Sequence, residues 1–214
     1  MSIEFALDQA AARVSAPTTL HRPMELGQLP TPALVLERAA MERNMRKMAD
    51  HVRAAGKGFR PHSKTHKCPT IAKLQMQLGA VGICAAKISE AAIMLGAGVP
   101  SVLITSPIAT LAKAQALNSL LGTHPNCELL LVVDSEQGLA ALQAAIAPER
   151  RLGLLVDIDL SMGRTGTREV DIMLRLIDAV MNDERFEFRG IQHYAGHLMH
   201  IEDYAKRRDK SLAS

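Results

Sequence analysis

The sequence has no tryptophan, and aromatic residues make up only 3% of its 214 positions. Proteins that bind single-stranded nucleic acid stack bases on aromatic side chains, and this chain offers few of them. Charge of one sign is also lacking, because 25 Lys and Arg residues are matched by 22 Asp and Glu residues, for a formal net charge of +3. Both features are untypical of nucleic-acid-binding proteins, and we expect no nucleic-acid partner.

Cysteine is scarce as well. The three cysteines are Cys68, Cys84 and Cys127, an odd number with no Cys-x-x-Cys spacing. The sequence therefore predicts neither a disulfide framework nor a thiolate metal site. Reduced thiols are typical of the cytoplasm, where we expect this protein.

Long apolar runs are missing too. The N-terminal segment carries charges where a secretory signal would be apolar, and the longest strongly apolar run, residues 129–133, is too short to span a membrane. We expect no association with membranes.

What the sequence does contain is a regular alternation of short aliphatic runs and longer helical patterns, which is typical of repeated βα units. An N-terminal arm, residues 1–28, precedes them. The predicted strands are residues 33–36, 58–63, 80–85, 101–105, 128–133, 152–158 and 188–194. The predicted helices include 39–55, 88–95, 110–121, 136–147, 169–181 and a last helix over 201–214.

The apolar run 129–133 would be buried on both faces of its sheet, which indicates a parallel sheet covered by helices. Doubly wound sheets and barrels both contain such sheets. A doubly wound nucleotide-binding fold predicts Gly-x-Gly-x-x-Gly or Gly-x-x-x-x-Gly-Lys, and both are absent. This favours a (β/α)8-type barrel.

The densest polar cluster at a predicted strand end is residues 58–67, Gly-Phe-Arg-Pro-His-Ser-Lys-Thr-His-Lys. Alternation along an extended chain would place Arg60, His62, Lys64 and His66 on one face. Barrel enzymes carry catalytic groups at such strand ends, and neighbouring cations favour the neutral amine that a Schiff base needs. On spacing alone, a solvated loop lysine remains the more common explanation.

Residues 60–67, Arg-Pro-His-Ser-Lys-Thr-His-Lys, resemble the signature of the D-threonine aldolase and D-serine dehydratase family, in which the lysine after Pro-His-x holds pyridoxal 5'-phosphate. Residues 29–36 resemble the segment that precedes the barrel in alanine-racemase-like enzymes. The resemblance implies a parallel (β/α)8-type barrel of the alanine racemase N-terminal class, with Lys64 as the cofactor lysine and strand 33–36 belonging to a second domain.

Two further segments resemble the same family. Residues 156–166 end in Met-Gly-Arg-Thr-Gly and imply that Arg164 reaches the phenolic oxygen of the cofactor. Residues 190–200 resemble the segment whose aromatic or imidazole side chain lies against the pyridine ring, and they contain three histidines. Tyr194 is the preferred residue for the ring contact, because it shares a strand face with Gln192. His200 is the preferred catalytic base and His197 the second choice, because imidazoles titrate near neutral pH. The further cofactor-binding candidates are His62 and His193.

Two alternatives remain. His62 and His66, with His193 and His197, could be ligands of a metal-dependent barrel hydrolase, although no glutamate accompanies either pair and Lys64 would repel a cation. A cofactor carrier without catalysis would keep the lysine but would not need the histidines.

The resemblance covers residues 29–214, which would form a partial barrel domain of about six βα units. A complete barrel takes about 250 residues and usually holds phosphate with the loops after strands seven and eight. We therefore expect a C-terminal β-domain with divalent-metal ligands, the last barrel units and part of the phosphate site to lie outside this chain. We also expect an exposed apolar barrel interior, and we expect the isolated chain to show weak or no cofactor retention and little activity.

The function implied by the resemblance is cleavage of a small D-3-hydroxy amino acid to glycine and an aldehyde, as in D-threonine aldolase. Dehydration of D-serine or D-hydroxyaspartate, or a racemase-like reaction, is the alternative. The complete protein is expected to be a homodimer.

Overall fold

The computed structural model describes residues 25–29 and 31–213. Contacts within the chain divide it into two units, residues 1–41 and 42–214. Most of the predicted N-terminal arm, residues 1–24, lies outside the described residues. The described part of the first unit contains a short 3-10 helix, Leu26–Gln28. The strand predicted over residues 33–36 is wrong, because no described strand pairs with this segment and Leu34 is fully exposed.

Helices and strands alternate from residue 69 to residue 193. In chain order, the described elements are α1 (Arg38–Ala54), α2 (Pro69–Gln77), β1 (Ile83–Ala85), α3 (Ile88–Gly96), β2 (Ser101–Ile104), α4 (Leu111–Thr123), β3 (Glu128–Val133), α5 (Glu136–Ala145), β4 (Leu152–Ile158), α6 (Val170–Met181), β5 (Phe186–His193), a 3-10 helix (Gly196–His200) and α7 (Tyr204–Leu212). Among the described residues, no helix is both long enough and apolar enough to cross a membrane.

The five strands form one parallel sheet in the order β1-β2-β3-β4-β5, so every strand lies beside its neighbours in sequence. This order, with a helix between successive strands, is that of a (β/α) barrel and differs from the reversing order of a doubly wound sheet. The carboxyl ends of all five strands meet at one edge, and the candidate site lies there.

The segment predicted as strand 58–63 runs beside β1 but forms only an isolated parallel bridge between His62 and Cys84. The amide of Cys84 donates to the carbonyl of Pro61, and the amide of Ser63 donates to the carbonyl of Cys84, each at 2.8 Å. Pro61 has no N–H to extend this ladder, and a turn begins at Ser63. The described chain therefore has five strands and one bridged segment where six barrel strands were predicted.

Each face of the sheet has its own apolar cluster. The larger cluster lies between sheet and helices and includes Leu131, Leu154 and Leu176. On the opposite face, Leu103 and Leu130 pack with Val132, Cys84 and Leu155. Leu103 is only 8% exposed and Leu130 only 4%. The prediction that the apolar interior is exposed is therefore wrong for these side chains, because they cover one another across neighbouring strands.

An ionic cluster lies on the same face at the amino ends of the strands. Arg60 donates to the Ser101 hydroxyl at 2.8 Å, and Arg189 donates to the Glu128 carboxylate at 2.6 Å. Ser101 also donates to Glu128, and Arg60 lies 3.4 Å from that carboxylate. In barrels this end of the sheet contributes to stability rather than to catalysis.

Candidate active site

A cavity of about 130 Å³ opens at the carboxyl edge of the sheet. Its walls come from the bridged segment before β1, the end of β2, the loop after β4 and the end of β5. They bring together five of the predicted site residues with two that were not predicted. The lining residues are His62, Lys64, Thr105, Arg164, Gln192, His193 and Tyr194.

Tyr194 is the centre of this group. The Lys64 ammonium nitrogen lies 5.6 Å from the centroid of the Tyr194 ring, and the Arg164 guanidinium carbon lies 5.3 Å from it. Both distances are within the range of a cation–π contact. Tyr194 is 46% exposed, so its ring is accessible to a ligand while it contacts both cations. These contacts bring an amine, a guanidinium and an aromatic ring to one opening.

The Lys64 backbone is held by His62. The imidazole Nδ1 of His62 accepts a hydrogen bond from the amide of Lys64 at 3.1 Å, and its Nε2 lies 3.1 Å from the Thr105 hydroxyl. Burial lowers the pKa of His62, and the positive charge of Lys64 lowers it further. The neutral imidazole is therefore favoured at this position.

The loop that carries Arg164 is held by two carboxylates. Asp159 accepts hydrogen bonds from the amides of Met162 and Gly163, and Arg168 pairs with it at 2.7 Å. The amide of Gly166 donates to Asp134 at 3.1 Å. These contacts limit the freedom of the loop on both sides of the guanidinium.

Gly166 is required by the close approach of this loop to β4. Its φ is +98°, a conformation that side chains with a Cβ rarely adopt. A Cβ at this position would also lie 2.5 Å from the carbonyl carbon of Ile158 and 2.6 Å from the amide nitrogen of Asp159. Only glycine allows this path without moving the backbone.

Gln192, which lines the cavity, forms a hydrogen bond with Asp157. Gln192 donates from Nε2 to Asp157 at 3.0 Å, and Asp157 is only 3% exposed. Burial raises the pKa of Asp157. Asp157, Thr105 and Gln192 were not among the predicted site residues. The available signal for Asp157 was a carboxylate within an otherwise aliphatic strand.

One prediction about the segment around Lys64 is wrong. The turn at Ser63 takes His66 away from the face of Lys64, and its Nδ1 accepts from the amide of Cys68 at 3.0 Å. Lys67 pairs with Glu90 at 3.3 Å, so its charge is engaged there. Alternation failed because the chain stops being extended after Ser63.

His197 and His200 do not line the cavity. Both are exposed, on the 3-10 helix that follows Tyr194. Among the described residues, no three His, Cys, Asp or Glu side chains are grouped so that they could hold a metal ion. The metal-hydrolase alternative therefore has no ligand set in the described part of the chain.

Comparison with known proteins matches residues 36–212 to the family described as "Alanine racemase, N-terminal domain". The chain is 35% identical over 189 residues to the 3-hydroxy-D-aspartate aldolase of Paracoccus denitrificans (strain Pd 1222), covering 87% of this chain and 48% of that protein. It is 33% identical over 173 residues to the D-threo-3-hydroxyaspartate dehydratase of Delftia sp. (strain HT23), covering 78% and 44%.

A solved structure shows the same fold. The D-threonine aldolase from Filomicrobium marinum superposes with a TM-score of 0.80 at 36% identity, covering 87% of this chain and 50% of that one. This chain thus spans about half the length of the proteins it matches.

Proposed function

This chain belongs to the alanine racemase N-terminal domain family, and we propose that its protein is a pyridoxal-phosphate-dependent lyase for D-3-hydroxy amino acids in which Lys64 carries the cofactor. The observation that supports this most directly is the meeting of Lys64, Arg164 and Tyr194 at one cavity. These residues come from three separate segments, and the resemblance had assigned each of them to the same ring system.

The groups present suit a pyridoxal ring. The amine of Lys64 can condense with an aldehyde, the guanidinium of Arg164 can donate to a phenolate oxygen, and the Tyr194 ring can cover an aromatic face. The cavity of about 130 Å³ is smaller than the roughly 300–1,000 Å³ of most ligand sites, so these residues would form one wall of the site. When bound, pyridoxal phosphate supplies an electron sink for the bond that breaks.

The residues of this chain would orient the cofactor while the substrate bond breaks. Arg164, held through Asp159 and Asp134, would keep a positive charge beside the phenolic oxygen. Tyr194, which contacts both cations, would limit the tilt of the cofactor ring. Asp157 would hold the side chain of Gln192 in place at the cavity wall through their hydrogen bond.

A base must accept the proton of the substrate β-hydroxyl when the Cα–Cβ bond breaks. We propose His200 for this role, with His197 as the second candidate. Both lie on the 3-10 helix immediately after Tyr194 and are exposed to an incoming substrate. His193, which lines the cavity, is proposed to contact the cofactor.

Retro-aldol cleavage is the preferred reaction because an aldolase is among the relatives and another aldolase has a solved structure with the same fold. The second candidate, dehydration, is supported by the 33% identity to a D-threo-3-hydroxyaspartate dehydratase. Cleavage of D-threonine releases glycine and acetaldehyde, whereas dehydration releases a 2-oxo acid and ammonia.

Product analysis separates the two reactions. The chain, with pyridoxal phosphate, is mixed in excess over D-threonine so that a single slow turnover is visible. We expect acetaldehyde and glycine in equal amounts, and neither product from a Lys64→Ala variant. Production of 2-oxo acid and ammonia would instead support the dehydratase, and no Lys64-dependent product of either kind would contradict the proposed lyase.

A further inference from the structure

His62, two residues before the proposed cofactor lysine, has a hydrogen-bond partner at each ring nitrogen. Its Nδ1 accepts from the amide of Lys64 at 3.1 Å, and its Nε2 lies 3.1 Å from Oγ1 of Thr105. The Thr105 hydroxyl donates to the carbonyl of Ala85 at 3.2 Å. A series of three hydrogen bonds, named here the Thr105–His62 relay, therefore connects the backbone of Lys64 to the end of β1.

The two ends of the relay determine where each hydrogen atom lies. A backbone amide can only donate and a backbone carbonyl can only accept. Nδ1 of His62 is therefore the unprotonated nitrogen, Nε2–H donates to Thr105, and the Thr105 hydroxyl donates to Ala85. A second proton on the imidazole would place an N–H against the amide of Lys64 and break the first bond.

The Thr105–His62 relay also connects Lys64 to the sheet. Thr105 follows β2 directly, and its amide donates to Ala85 at 2.9 Å, so both of its polar groups are held by β1. His62 is half-buried and forms the isolated bridge to Cys84. Lys64 itself lies in a turn with an exposed side chain. Among residues 25–29 and 31–213, the partner of its backbone amide is thus His62.

We propose that Thr105 and His62 are positioning residues, which hold the backbone at Lys64 so that its amine points into the cavity. What the amine does there rests on the proposed function, whereas the relay itself does not. Because both ring nitrogens of His62 are engaged within the chain, His62 acts through Lys64 and not by a hydrogen bond to the cofactor.

The test compares substitutions that differ by one hydroxyl. Thr105→Val keeps the shape of the side chain but removes the partner of His62, and Thr105→Ser keeps the hydroxyl. Ser106→Ala removes a neighbouring hydroxyl outside the relay and is the matched control. If thermal unfolding shows that Thr105→Val does not fold, Thr105→Ala takes its place.

The first measurement is the rate at which pyridoxal phosphate becomes trapped on Lys64 by borohydride, followed by mass spectrometry of the Lys64 peptide. Loss of one hydrogen bond predicts a rate about tenfold lower in Thr105→Val. Thr105→Ser and Ser106→Ala should react at the wild-type rate. Labelling of Lys67 in the same samples should not change. Partial unfolding of the chain would instead change the labelling of both lysines.

The second measurement needs no cofactor. Long-range ¹H–¹⁵N correlation spectra of the histidine rings, with His62 identified by the signal that disappears in His62→Gln, should show only the tautomer protonated at Nε2. Thr105→Val should produce a mixture of tautomers and Thr105→Ser should not.

The outcomes separate the relay from the proposed function. An Nδ1-protonated His62 in the wild type, or equal trapping rates in Thr105→Val and Ser106→Ala, would overturn the positioning role. Absence of Lys64 labelling in the wild type, together with the expected tautomer, would contradict the proposed function and leave the relay in place.

Discussion

The guanidinium carbon of Arg164 lies 5.3 Å from the ring centroid of Tyr194, although the two residues follow different strands. This contact joins the loop after β4 to the end of β5. The ammonium nitrogen of Lys64 lies 5.6 Å from the same ring centroid. Tyr194 is therefore in contact with both cations that the proposed cofactor needs.

Tyr194→Ala should lower the rate of pyridoxal phosphate trapping on Lys64 roughly tenfold, because it removes the ring that both cations contact. Tyr194→Phe keeps the ring and should stay within about threefold of wild type. Tyr204→Ala is the matched control, since Tyr204 is the other tyrosine and lies exposed on α7. Equal losses in the Tyr194→Ala and Tyr204→Ala variants would contradict a specific role for Tyr194.

Gly166→Ala should destabilise the loop that carries Arg164. The left-handed backbone and the contacts with Ile158 and Asp159 predict a decrease of about 1–3 kcal/mol in the free energy of unfolding. Denaturant titration measures this change. Gly98→Ala is the control, because Gly98 has a φ of +90° but open space around its Cβ position. A Gly166→Ala variant as stable as Gly98→Ala would contradict the close approach described here.

The ionic cluster at the amino ends of the strands predicts acid sensitivity. Burial acts to raise the pKa of Glu128, but hydrogen bonds from Ser101 and Arg189 outweigh it. The pKa of Glu128 is therefore lowered from the ordinary glutamate value of 4.5. A lowered carboxyl pKa gives stability that is fully present above the unfolded value and is lost as pH falls through the folded value. Glu128→Gln should lower the free energy of unfolding by roughly 1 kcal/mol or less near neutral pH, since the carboxylate is partly screened by solvent.

The same variant should show a weaker loss of stability below pH 4.5 than the wild-type chain, because it no longer has this carboxyl group to protonate. Chemical denaturation at a series of pH values measures both effects. Parallel stability curves for the two proteins in the acid range would show that Glu128 does not contribute.

A separate loss of stability is expected around the ordinary histidine pKa of 6.5. Burial lowers the pKa of both His62 and His66, and Lys64 lowers that of His62 further, while Glu90 opposes it. Above 6.5 both imidazoles are neutral in the folded and unfolded chains. Below it the unfolded chain binds these protons more readily, so stability falls. His62→Gln should reduce the dependence on pH in this window, and an unchanged dependence would contradict a neutral His62.

The sequence predicts β3 and β4 with the observed bounds because both are long aliphatic runs buried on two faces. Such runs leave little freedom in the choice of secondary structure. Lys64, Arg164 and Tyr194 were also predicted, from segments that resemble a known family. The structure adds that these residues line one cavity.

The errors arise where structure depends on distant partners. Residues 33–36 have strand-like composition, but the described chain provides no neighbouring strand to pair with them. His66 leaves the predicted face because the carbonyl of Ser63 accepts hydrogen bonds from the amides of His66 and Lys67 and closes a turn. Thr105 was missed because its importance comes from a hydrogen bond to His62, 43 positions away in sequence.

Covalent mapping tests whether Lys64 is the lysine that binds pyridoxal phosphate. The chain is incubated with the cofactor and reduced with borohydride, and the modified peptides are identified by mass spectrometry, with Lys64→Arg and Lys67→Arg as a matched pair. We expect the peptide that contains Lys64 to be the dominant modified peptide. Its modification should disappear in the Lys64→Arg variant and remain in the Lys67→Arg variant. Modification spread over surface lysines, or unchanged in the Lys64→Arg variant, would contradict this expectation.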